Sequence, residues 1–302
     1  MYNDRHVTVI IPALNEAPSI AHVVNGLNSL RVCNRCQKVV DTAPCKDPAI
    51  LPNPAPLHSD FAEFCACDYM GAVVKVVDRI VVGDNGSTDC TAAIASAHGA
   101  MCVHESERGY GAACLAALAA TPDKDLIVFV DGDHSVAPQE LPLLLEPLVN
   151  GADLVIGSRT LGHCEHGALS VPQVLGNQLA SYIMRLLWQQ KVTDLGPFRA
   201  ITNEALNNIG MTDKQFGWTV EMQVRAMQLS LKTLEVPVST HRRIGRSKIS
   251  GTLKGVAGAA HGILGTIGKL YWRQLSGAGR PQPRQRAYPT ITPLNNRTGK
   301  PS

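Results

Sequence analysis

A chain of 302 residues, 45% of them hydrophobic, is long enough to bury a sizeable core as one large or two modest domains. The net charge of +3 comes from residues 276–302, which hold five basic residues and no acid, so the rest of the chain carries −2. A slightly negative charge over residues 1–275 is atypical of a nucleic-acid-binding protein. No apolar stretch reaches the roughly 18 residues of a membrane span.

The N-terminal residues and the cysteines indicate a cellular compartment. The first six residues are polar and lead directly into an apolar segment, so they do not resemble a secretory signal. Nine cysteines without such a signal favour a reducing environment. We therefore predict a cytoplasmic protein, with peripheral contact at the cytoplasmic face of a membrane as a second expectation.

The first two thirds of the sequence alternate between short apolar runs and segments with apolar residues at helical spacing. Such alternation predicts parallel strands joined by right-handed crossovers, hence an α/β fold with a Rossmann-like, mostly parallel sheet and helices on both faces. The predicted strands cover 7–11, 79–83, 101–104, 125–130 and 154–157, and the predicted helices cover 17–30, 109–120, 139–149 and a segment that begins at Ser87.

The second half of the chain is less regular. Residues 251–275 combine apolar residues at helical spacing with several glycines, which predicts an amphipathic, glycine-rich helix that packs on the core or lies on a membrane interface. The tail, residues 276–302, is rich in Pro, Gly and Arg and is predicted to be disordered. The other predicted elements are helices over 172–189 and about 216–229, and strands within 194–201 and 232–238.

Residues 31–72 interrupt the alternation with five prolines and five cysteines. A loop of this length inside a compact domain is usually functional or disordered. The segment contains the pattern CNRC at 33–36 and the pattern CAC at 65–67, and such thiols can hold a structural zinc ion. Because the two pairs are far apart and CAC is unusual spacing for zinc, a metal-free insertion is the alternative.

Two acids follow the most apolar of the predicted strands. Asp131 and Asp133 come directly after a run of Val and Phe that must be buried, so the strand delivers both carboxylates to its C-terminal end. With no Lys or Arg beside them, the two carboxylates favour a divalent cation, and oxygen ligands of this kind suit Mg²⁺ or Mn²⁺. Asp133 could instead cap the helix that follows.

Four segments are expected to meet at the same edge of the sheet: residues 12–16, 84–89, 108–111 and 131–133. A crevice lined by acids, small residues and helix N-termini suits a nucleotide diphosphate bound through a metal ion. Asp84 could accept hydrogen bonds from the base or cap a helix, and Arg108 could face a phosphate or only solvent.

Three of these motifs, IIPALNE at 10–16, DNGSTD at 84–89 and DGD at 131–133, resemble in this order the family 2 glycosyltransferases of the GT-A fold. The resemblance covers about residues 6–30 and 74–250. It implies a GT-A glycosyltransferase domain over residues 1–250, in which residues 31–72 are an insertion without a family role.

Further motifs are similar to the dolichyl- and polyprenyl-phosphate sugar synthases of this family: GSR at 157–159, TD at 193–194, FR at 198–199 and RIGRSK at 243–248. The resemblance implies roles for individual residues at the site. Nucleotide-sugar binding would fall to Pro12, Leu14, Glu16, Asp84, Gly86, Arg108 and Asp131, metal binding to Asp131 and Asp133, and phosphate contacts to Arg159, Arg243, Ser247 and Lys248.

Two positions depart from the pattern of these synthases. Ser135 stands where they usually carry a Gln that is a further metal ligand. In residues 170–177, where they place a second Arg, this chain has none and carries Gln173. Both departures favour a soluble phosphorylated acceptor as the alternative to a lipid phosphate.

The chemistry implied by the family is an inverting, in-line displacement at the anomeric carbon. A divalent cation at Asp133 and basic side chains such as Arg243 would stabilise the departing nucleoside diphosphate. A phosphate acceptor is already ionised near neutral pH and needs no base, whereas a hydroxyl acceptor needs one. Glu221 is the candidate base, and its alternative role is a helix-surface pair with Arg225 four residues later.

The sequence therefore predicts a metal-dependent glycosyltransferase that uses a UDP- or GDP-linked sugar, with polyprenyl phosphate as the first acceptor and a small phosphorylated or hydroxyl compound as the second. Two other classes of protein fit less well. A sugar nucleotidyltransferase needs a glycine-rich, basic loop after the first strand, and residues 12–16 do not provide it. A non-catalytic binding module organised around the cysteines is the remaining hypothesis.

Overall fold

The computed structural model describes residues 2–33, 73–121, 124–245 and 253–277. The strands in these ranges are β1 Val7–Ala13, β2 Arg31–Cys33, β3 Val73–Lys75, β4 Arg79–Asp84, β5 Met101–His104, β6 Leu126–Phe129, β7 Leu154–Ser158, β8 Arg199–Thr202 and β9 Thr233–Pro237. The α-helices are α1 Ile20–Ser29, α2 Thr91–Ala97, α3 Tyr110–Ala119, α4 Leu141–Val149, α5 Val171–Trp188, α6 Asn203–Ile209, α7 Trp218–Gln228 and α8 Leu253–Leu275, and a 3-10 turn at Pro138–Glu140 precedes α4.

Seven strands form one sheet in the order β5-β4-β1-β6-β8-β7-β9. All neighbours in it are parallel except β8, which runs antiparallel to both β6 and β7. The predicted mostly parallel sheet is therefore confirmed. The reversed strand arises because the chain, after α5, re-enters the sheet from the edge at which β6 and β7 end.

Helices cover both faces of the sheet, as predicted. Successive residues of β1 alternate between two apolar layers, with Val9 and Ile11 packing toward α1 and α4, and Ile10 packing toward α3, α6 and α7. The same alternation holds in β6, where Val128 and Phe129 face opposite layers. Because both faces are covered, these strands are buried at every position rather than at every second one.

A third apolar cluster joins α5, α7 and α8 beside the main sheet. Its buried residues include Ala180 and Met184 of α5, Val224 of α7 and Ile267 of α8. The C-terminal helix thus packs against the domain through one side. Within the described ranges, no helix combines the length and the apolar content needed to cross a bilayer.

A two-stranded antiparallel sheet brackets the cysteine-rich segment. Cys33 of β2 pairs with Val73 of β3, so residues 31–33, which the sequence placed in the insertion, form a regular strand. Cys33 is buried. The remaining cysteines of the predicted zinc site, from 36 to 67, lie outside the described residues.

Helix α2 begins four residues later than predicted, at Thr91 instead of Ser87. Ser87 bonds to the loop after β1, and Asp89 bonds both to that loop and to Thr91, the first residue of the helix. The hydroxyl of Ser87 accepts the backbone N–H of Asn15 at 2.9 Å, and Asp89 accepts that of Ala17 at 3.2 Å. For Ser87, a long-range contact therefore replaces the local cap that its residue type indicated.

Gly83 offers a test of how closely α3 packs on β4. A Cβ at this position would collide with the backbone carbonyl of Ala113. We expect Gly83→Ala to lower the free energy of unfolding by about 1–3 kcal/mol, because the helix must move off the sheet. Gly176, inside α5 with open space around it, is the matched control. Gly176→Ala should raise the free energy of unfolding by about 0.5–1 kcal/mol. Urea unfolding measures both, and equal stability of Gly83→Ala and wild type would contradict the packing.

Candidate active site

The structure brings the predicted crevice segments together at the carboxyl ends of adjacent strands. β1 lies between β4 and β6, with Ala13 opposite Asp84 and Ile10 opposite Phe129. The segments that follow these strands, residues 12–16, 84–89 and 131–133, therefore share one edge of the sheet. This edge is the usual ligand-binding edge of an open α/β fold.

Direct hydrogen bonds tie the first two segments to each other. The backbone N–H of Glu16 donates to Thr91 Oγ1 at 2.8 Å. The backbone N–H of Thr88 donates to Asn15 Oδ1 at 2.7 Å, and Asn85 donates its N–H to the Ala13 carbonyl at 2.9 Å. These hydrogen bonds thus hold the two motif-bearing loops, residues 12–16 and 84–89, against each other along one side of the crevice.

The first segment is also anchored to the acid motif. Ser19, at the start of α1, donates its hydroxyl proton to the Gly132 carbonyl at 2.7 Å and its N–H to the Glu16 carbonyl at 3.0 Å. Pro12 is buried within β1, and Leu14 and Glu16 are partly exposed toward the edge. Of these three residues, Glu16 lies beside the acid motif, since a Cβ at Gly132 would lie 3.6 Å from its Cγ.

Asp84 is buried at the end of β4 and has two neighbours in reach of its carboxylate. The Ser87 N–H donates to it at 3.3 Å, and His104 Nδ1 lies 3.5 Å from Oδ2. Gly86 has a φ of +71°, which favours glycine in this turn. Arg108 is exposed and donates to the Asn85 carbonyl at 2.9 Å, so it holds the turn that carries Gly86.

The two aspartates of the acid motif have different partners. Asp131 accepts a hydrogen bond from the Tyr110 hydroxyl at 3.0 Å. Asp133 accepts the N–H of Ser135 through Oδ1 at 2.9 Å, and its Oδ2 lies 3.1 Å from Arg243 Nη2. The alternative role of Asp133 as a helix cap is absent, since the turn at Pro138–Glu140 has Ala137 at its N-cap position.

Electrostatics at this pair favour a bound cation. Burial and then the neighbouring charge of Asp133 raise the pKa of Asp131 to about 7, against the opposing effects of Tyr110, Arg243 and Arg159. A divalent ion would offset both the burial and the repulsion. In the described part of the chain, no three His, Cys, Asp or Glu side chains are grouped to hold a metal by themselves. The two carboxylates fit a cation that takes its remaining ligands from a diphosphate.

Arg159 is held by a partner that the sequence did not identify. Its Nε and Nη2 donate to the carboxylate of Asp194 at 2.8 and 2.6 Å, and its backbone N–H donates to the same group at 2.7 Å. Asp194 is completely buried. The pairing raises the pKa of Arg159 against the effect of its burial and leaves one guanidinium nitrogen, Nη1, for another contact.

Tyr110 and Arg199 lie in motifs that the sequence analysis names, but it assigned neither side chain a role. Arg199 is completely buried and donates to the carbonyls of Gly196 and Thr219 at 3.0 and 2.9 Å. Burial lowers its pKa to about 10, while the charges of Tyr110 and Asp131 act in the opposite direction. Tyr110 lies within the segment quoted at 108–111, but only its contact with Asp131, 21 positions away, gives it a role.

Glu221 is occupied by structural contacts. Its carboxylate accepts the Thr212 N–H at 2.9 Å, the Thr212 hydroxyl at 2.6 Å and the Asp213 N–H at 2.6 Å. Arg225 lies 2.7 Å away, so the predicted i,i+4 pair is present. Buried and bonded through both oxygens, Glu221 anchors residues 212–213 to α7 in this structure and is not arranged as a base.

The basic segment after β9 is described only in part. Arg243 faces Asp133, and its backbone neighbour Ile244 donates its N–H to the Asp133 carbonyl at 3.0 Å. Ser247 and Lys248, which the family resemblance assigns to phosphate binding, lie outside the described residues.

The raised pKa of Asp131 predicts a pH-dependent stability in metal-free protein. The pKa of Asp131 is about 7 in the folded protein and ~3.9 in the unfolded chain. The protonated carboxyl therefore contributes its full stabilisation below pH ~3.9, and this contribution is lost as pH rises through 7. Between pH 5 and 8 we expect a loss on the order of 1 kcal/mol, since Asp131 keeps some solvent contact. Chemical unfolding in EDTA should show a flatter pH profile for Asp131→Asn. Identical profiles would contradict the assignment.

Comparison with known proteins agrees with the geometry. The sequence model described as glycosyl transferase family 2 matches residues 73–210. An uncharacterized glycosyltransferase of Mycobacterium tuberculosis is 38% identical over 188 residues, which are 61% of this chain and 84% of that protein. The dolichyl-phosphate hexose transferase of Haloferax volcanii is 31% identical over 200 residues, which are 62% of this chain and 84% of that protein.

A similar solved structure is that of glucosyl-3-phosphoglycerate synthase from Mycobacterium tuberculosis in complex with Mn²⁺, UDP and phosphoglyceric acid. The alignment covers 93% of this chain and 81% of that one, with a TM-score of 0.60 and 21% sequence identity. At this identity the likeness establishes the fold, which is the GT-A fold. On the family match, the relatives and the fold together, the chain belongs to glycosyl transferase family 2 and is a glycosyltransferase.

Proposed function

We propose that this glycosyltransferase moves a sugar from a nucleoside diphosphate to a polyprenyl phosphate, with inversion at the anomeric carbon and with a divalent cation such as Mn²⁺ or Mg²⁺. The observation that carries the proposal is the pair of Asp131 and Asp133 at the end of β6, with Arg243 3.1 Å from the second carboxylate. A diphosphate needs both a cation and a basic group beside it, and this edge of the sheet offers two carboxylates that could hold the cation, with Arg243 as the basic group.

The donor is expected to bind along the wall formed by residues 12–16 and 84–89. Asp84 has a buried carboxylate that can accept hydrogen bonds from the N–H groups of a uracil or guanine base. Glu16 and Asp131 are positioned to meet the ribose and the diphosphate. When bound, the cation neutralises charge on the departing nucleoside diphosphate.

With a donor bound in this way, Arg243 would contact phosphate oxygens as well as Asp133. Its guanidinium lies next to the carboxylate proposed to hold the cation, so phosphate oxygens that share the cation come within its reach. Arg159 can contribute only Nη1, because Asp194 engages Nε and Nη2. The phosphate acceptor is ionised before it reacts, so the reaction needs no proton abstraction and no base from Glu221.

The lipid phosphate is favoured by a relative whose name specifies dolichyl phosphate. A soluble phosphorylated acceptor is the second candidate, and one contact supports it. Gln173, at the position where an additional Arg would serve a lipid phosphate, accepts hydrogen bonds from the Ser170 N–H and hydroxyl at 2.9 Å. It completes the cap of α5 and adds no positive charge at the site.

The test is a donor screen with the full-length protein. UDP- and GDP-linked sugars are incubated with Mn²⁺ and either a short-chain polyprenyl phosphate in detergent or 3-phosphoglycerate, and the products are identified by mass spectrometry. We expect a glycosylated polyprenyl phosphate that disappears with EDTA. Transfer to 3-phosphoglycerate alone would overturn the lipid acceptor, and activity unchanged by EDTA would overturn the cation.

A further inference from the structure

An apolar stripe runs along the outer face of α5. The buried residues of this helix, Ala180, Ser181 and Met184, define the face that packs on the protein. On the opposite face, apolar residues recur at intervals of one, three or four positions and therefore align. Their exposed fractions are 71% for Val171, 37% for Val174, 59% for Leu175, 50% for Leu179, 57% for Tyr182 and 64% for Leu186.

The end of α8 extends this stripe. Trp188, the last residue of α5, contacts Tyr271 with ring centroids 5.8 Å apart and donates its indole N–H to Gln274 at 2.7 Å. Next to this junction, Trp272 and Leu275 expose 72% and 65% of their surface. We call the exposed residues of α5 together with Trp272 and Leu275 the α5–α8 surface.

The charged residues of the two helices themselves are all positive. Neither α5 nor α8 contains an acidic residue. Arg185, Lys191, Lys269 and Arg273 are exposed on or beside the two helices. A stripe of aliphatic and aromatic residues with a basic border is the pattern of a helix that lies in the interface of a bilayer with anionic headgroups. A second copy of the chain on this surface would bring the basic residues of α5 and α8 together, and neither helix offers an acid to pair with them.

The α5–α8 surface is also coupled to the active site. Asn177 of α5 accepts the Leu195 N–H at 2.9 Å and donates to the Thr193 carbonyl at 3.4 Å. Between these two residues, Asp194 holds Arg159. The helix that carries the stripe thus positions the segment that holds Arg159, a residue proposed to contact phosphate.

We propose that the α5–α8 surface docks this enzyme on a membrane with anionic lipids. The inference rests on the proposed function only in explaining why docking would be useful, namely to reach a lipid-phosphate acceptor. Docking itself is measured without donor or acceptor. Apolar side chains enter the interface, and the four basic residues meet the headgroups. A substrate that remains anchored in the bilayer then reaches the phosphate-binding residues without leaving its membrane.

The test uses co-sedimentation of the full-length protein with vesicles of 70% phosphatidylcholine and 30% phosphatidylglycerol. Leu175→Ser with Leu186→Ser removes two exposed side chains of the stripe, and we expect it to weaken the partition coefficient by at least about tenfold. Met101→Ser with Leu234→Ser removes two exposed apolar side chains at the two edges of the sheet and should bind like wild type. Pure phosphatidylcholine vesicles or 0.5 M NaCl should also reduce binding.

The outcomes separate docking from catalysis. Wild-type protein that stays in the supernatant, or a stripe variant that sediments as well as wild type, overturns the proposal. A wild-type dimer in light scattering that the stripe variant converts to a monomer overturns it in favour of a second copy. Loss of vesicle binding in a stripe variant that still glycosylates detergent-solubilised polyprenyl phosphate supports docking, and failure of that reaction in wild type counts against the proposed function instead.

Discussion

Asp133→Asn should reduce sugar transfer by about a thousandfold or more while the protein stays folded. The substitution keeps the shape of the side chain and an oxygen that can accept the Ser135 N–H. It removes the negative charge that, in the proposed mechanism, holds the cation beside the diphosphate. Rates are measured with the donor and acceptor identified in the screen, and circular dichroism verifies the fold.

Metal binding gives this prediction a readout that does not depend on turnover. Titration of Mn²⁺ in the presence of UDP, followed by electron paramagnetic resonance, should show tight binding to wild type and weak binding to Asp133→Asn. The matched control is Glu165→Gln, because Glu165 pairs with Arg242 beside the same basic segment but is only half-buried. A variant at Asp133 that retains a tenth of the rate, or binds Mn²⁺ as wild type does, would refute the metal role.

The sequence predicts those parts of the fold in which a local pattern is compatible with only one kind of structure. A run such as residues 126–130 is apolar at every position, so it can only be a strand covered on both faces. The polar residues that follow it must then lie at the sheet edge. The same reasoning applies to the apolar cores of β1 and β4, which is why the meeting of residues 12–16, 84–89 and the two aspartates at one edge could be predicted before their contacts were known.

Contacts between distant segments explain what could not be predicted. The direction of β8 depends on where α5 ends in space, and a strand of four residues carries no sign of its orientation. Ser87 has the residue type of a helix cap, yet its hydroxyl meets Asn15, 72 positions earlier. Glu221 had two roles open to it, and the three hydrogen bonds from Thr212 and Asp213 that decide between them form only after α7 packs beside that loop.

Asp194→Ala should lower the free energy of unfolding by about 3–5 kcal/mol, since it leaves the guanidinium of Arg159 largely buried without its partner. The exposed pair of Lys214 and Glu107 is the control, and Glu107→Ala should cost less than about 1 kcal/mol. Urea unfolding measures both variants. Equal effects would contradict a special role for the buried pair.

The double variant Arg159→Met with Asp194→Leu separates the structural from the chemical role of this pair. Because the penalty in the single variant comes from an unpaired buried charge, removing both charges should restore most of the lost stability. If Arg159 Nη1 meets a phosphate as proposed, the double variant will be stable yet bind its phosphate substrate more weakly, seen as a raised KM. A stable double variant with an unchanged KM would show that Arg159 only holds residues 193–195 in place. Phosphate binding would then be assigned to Arg243.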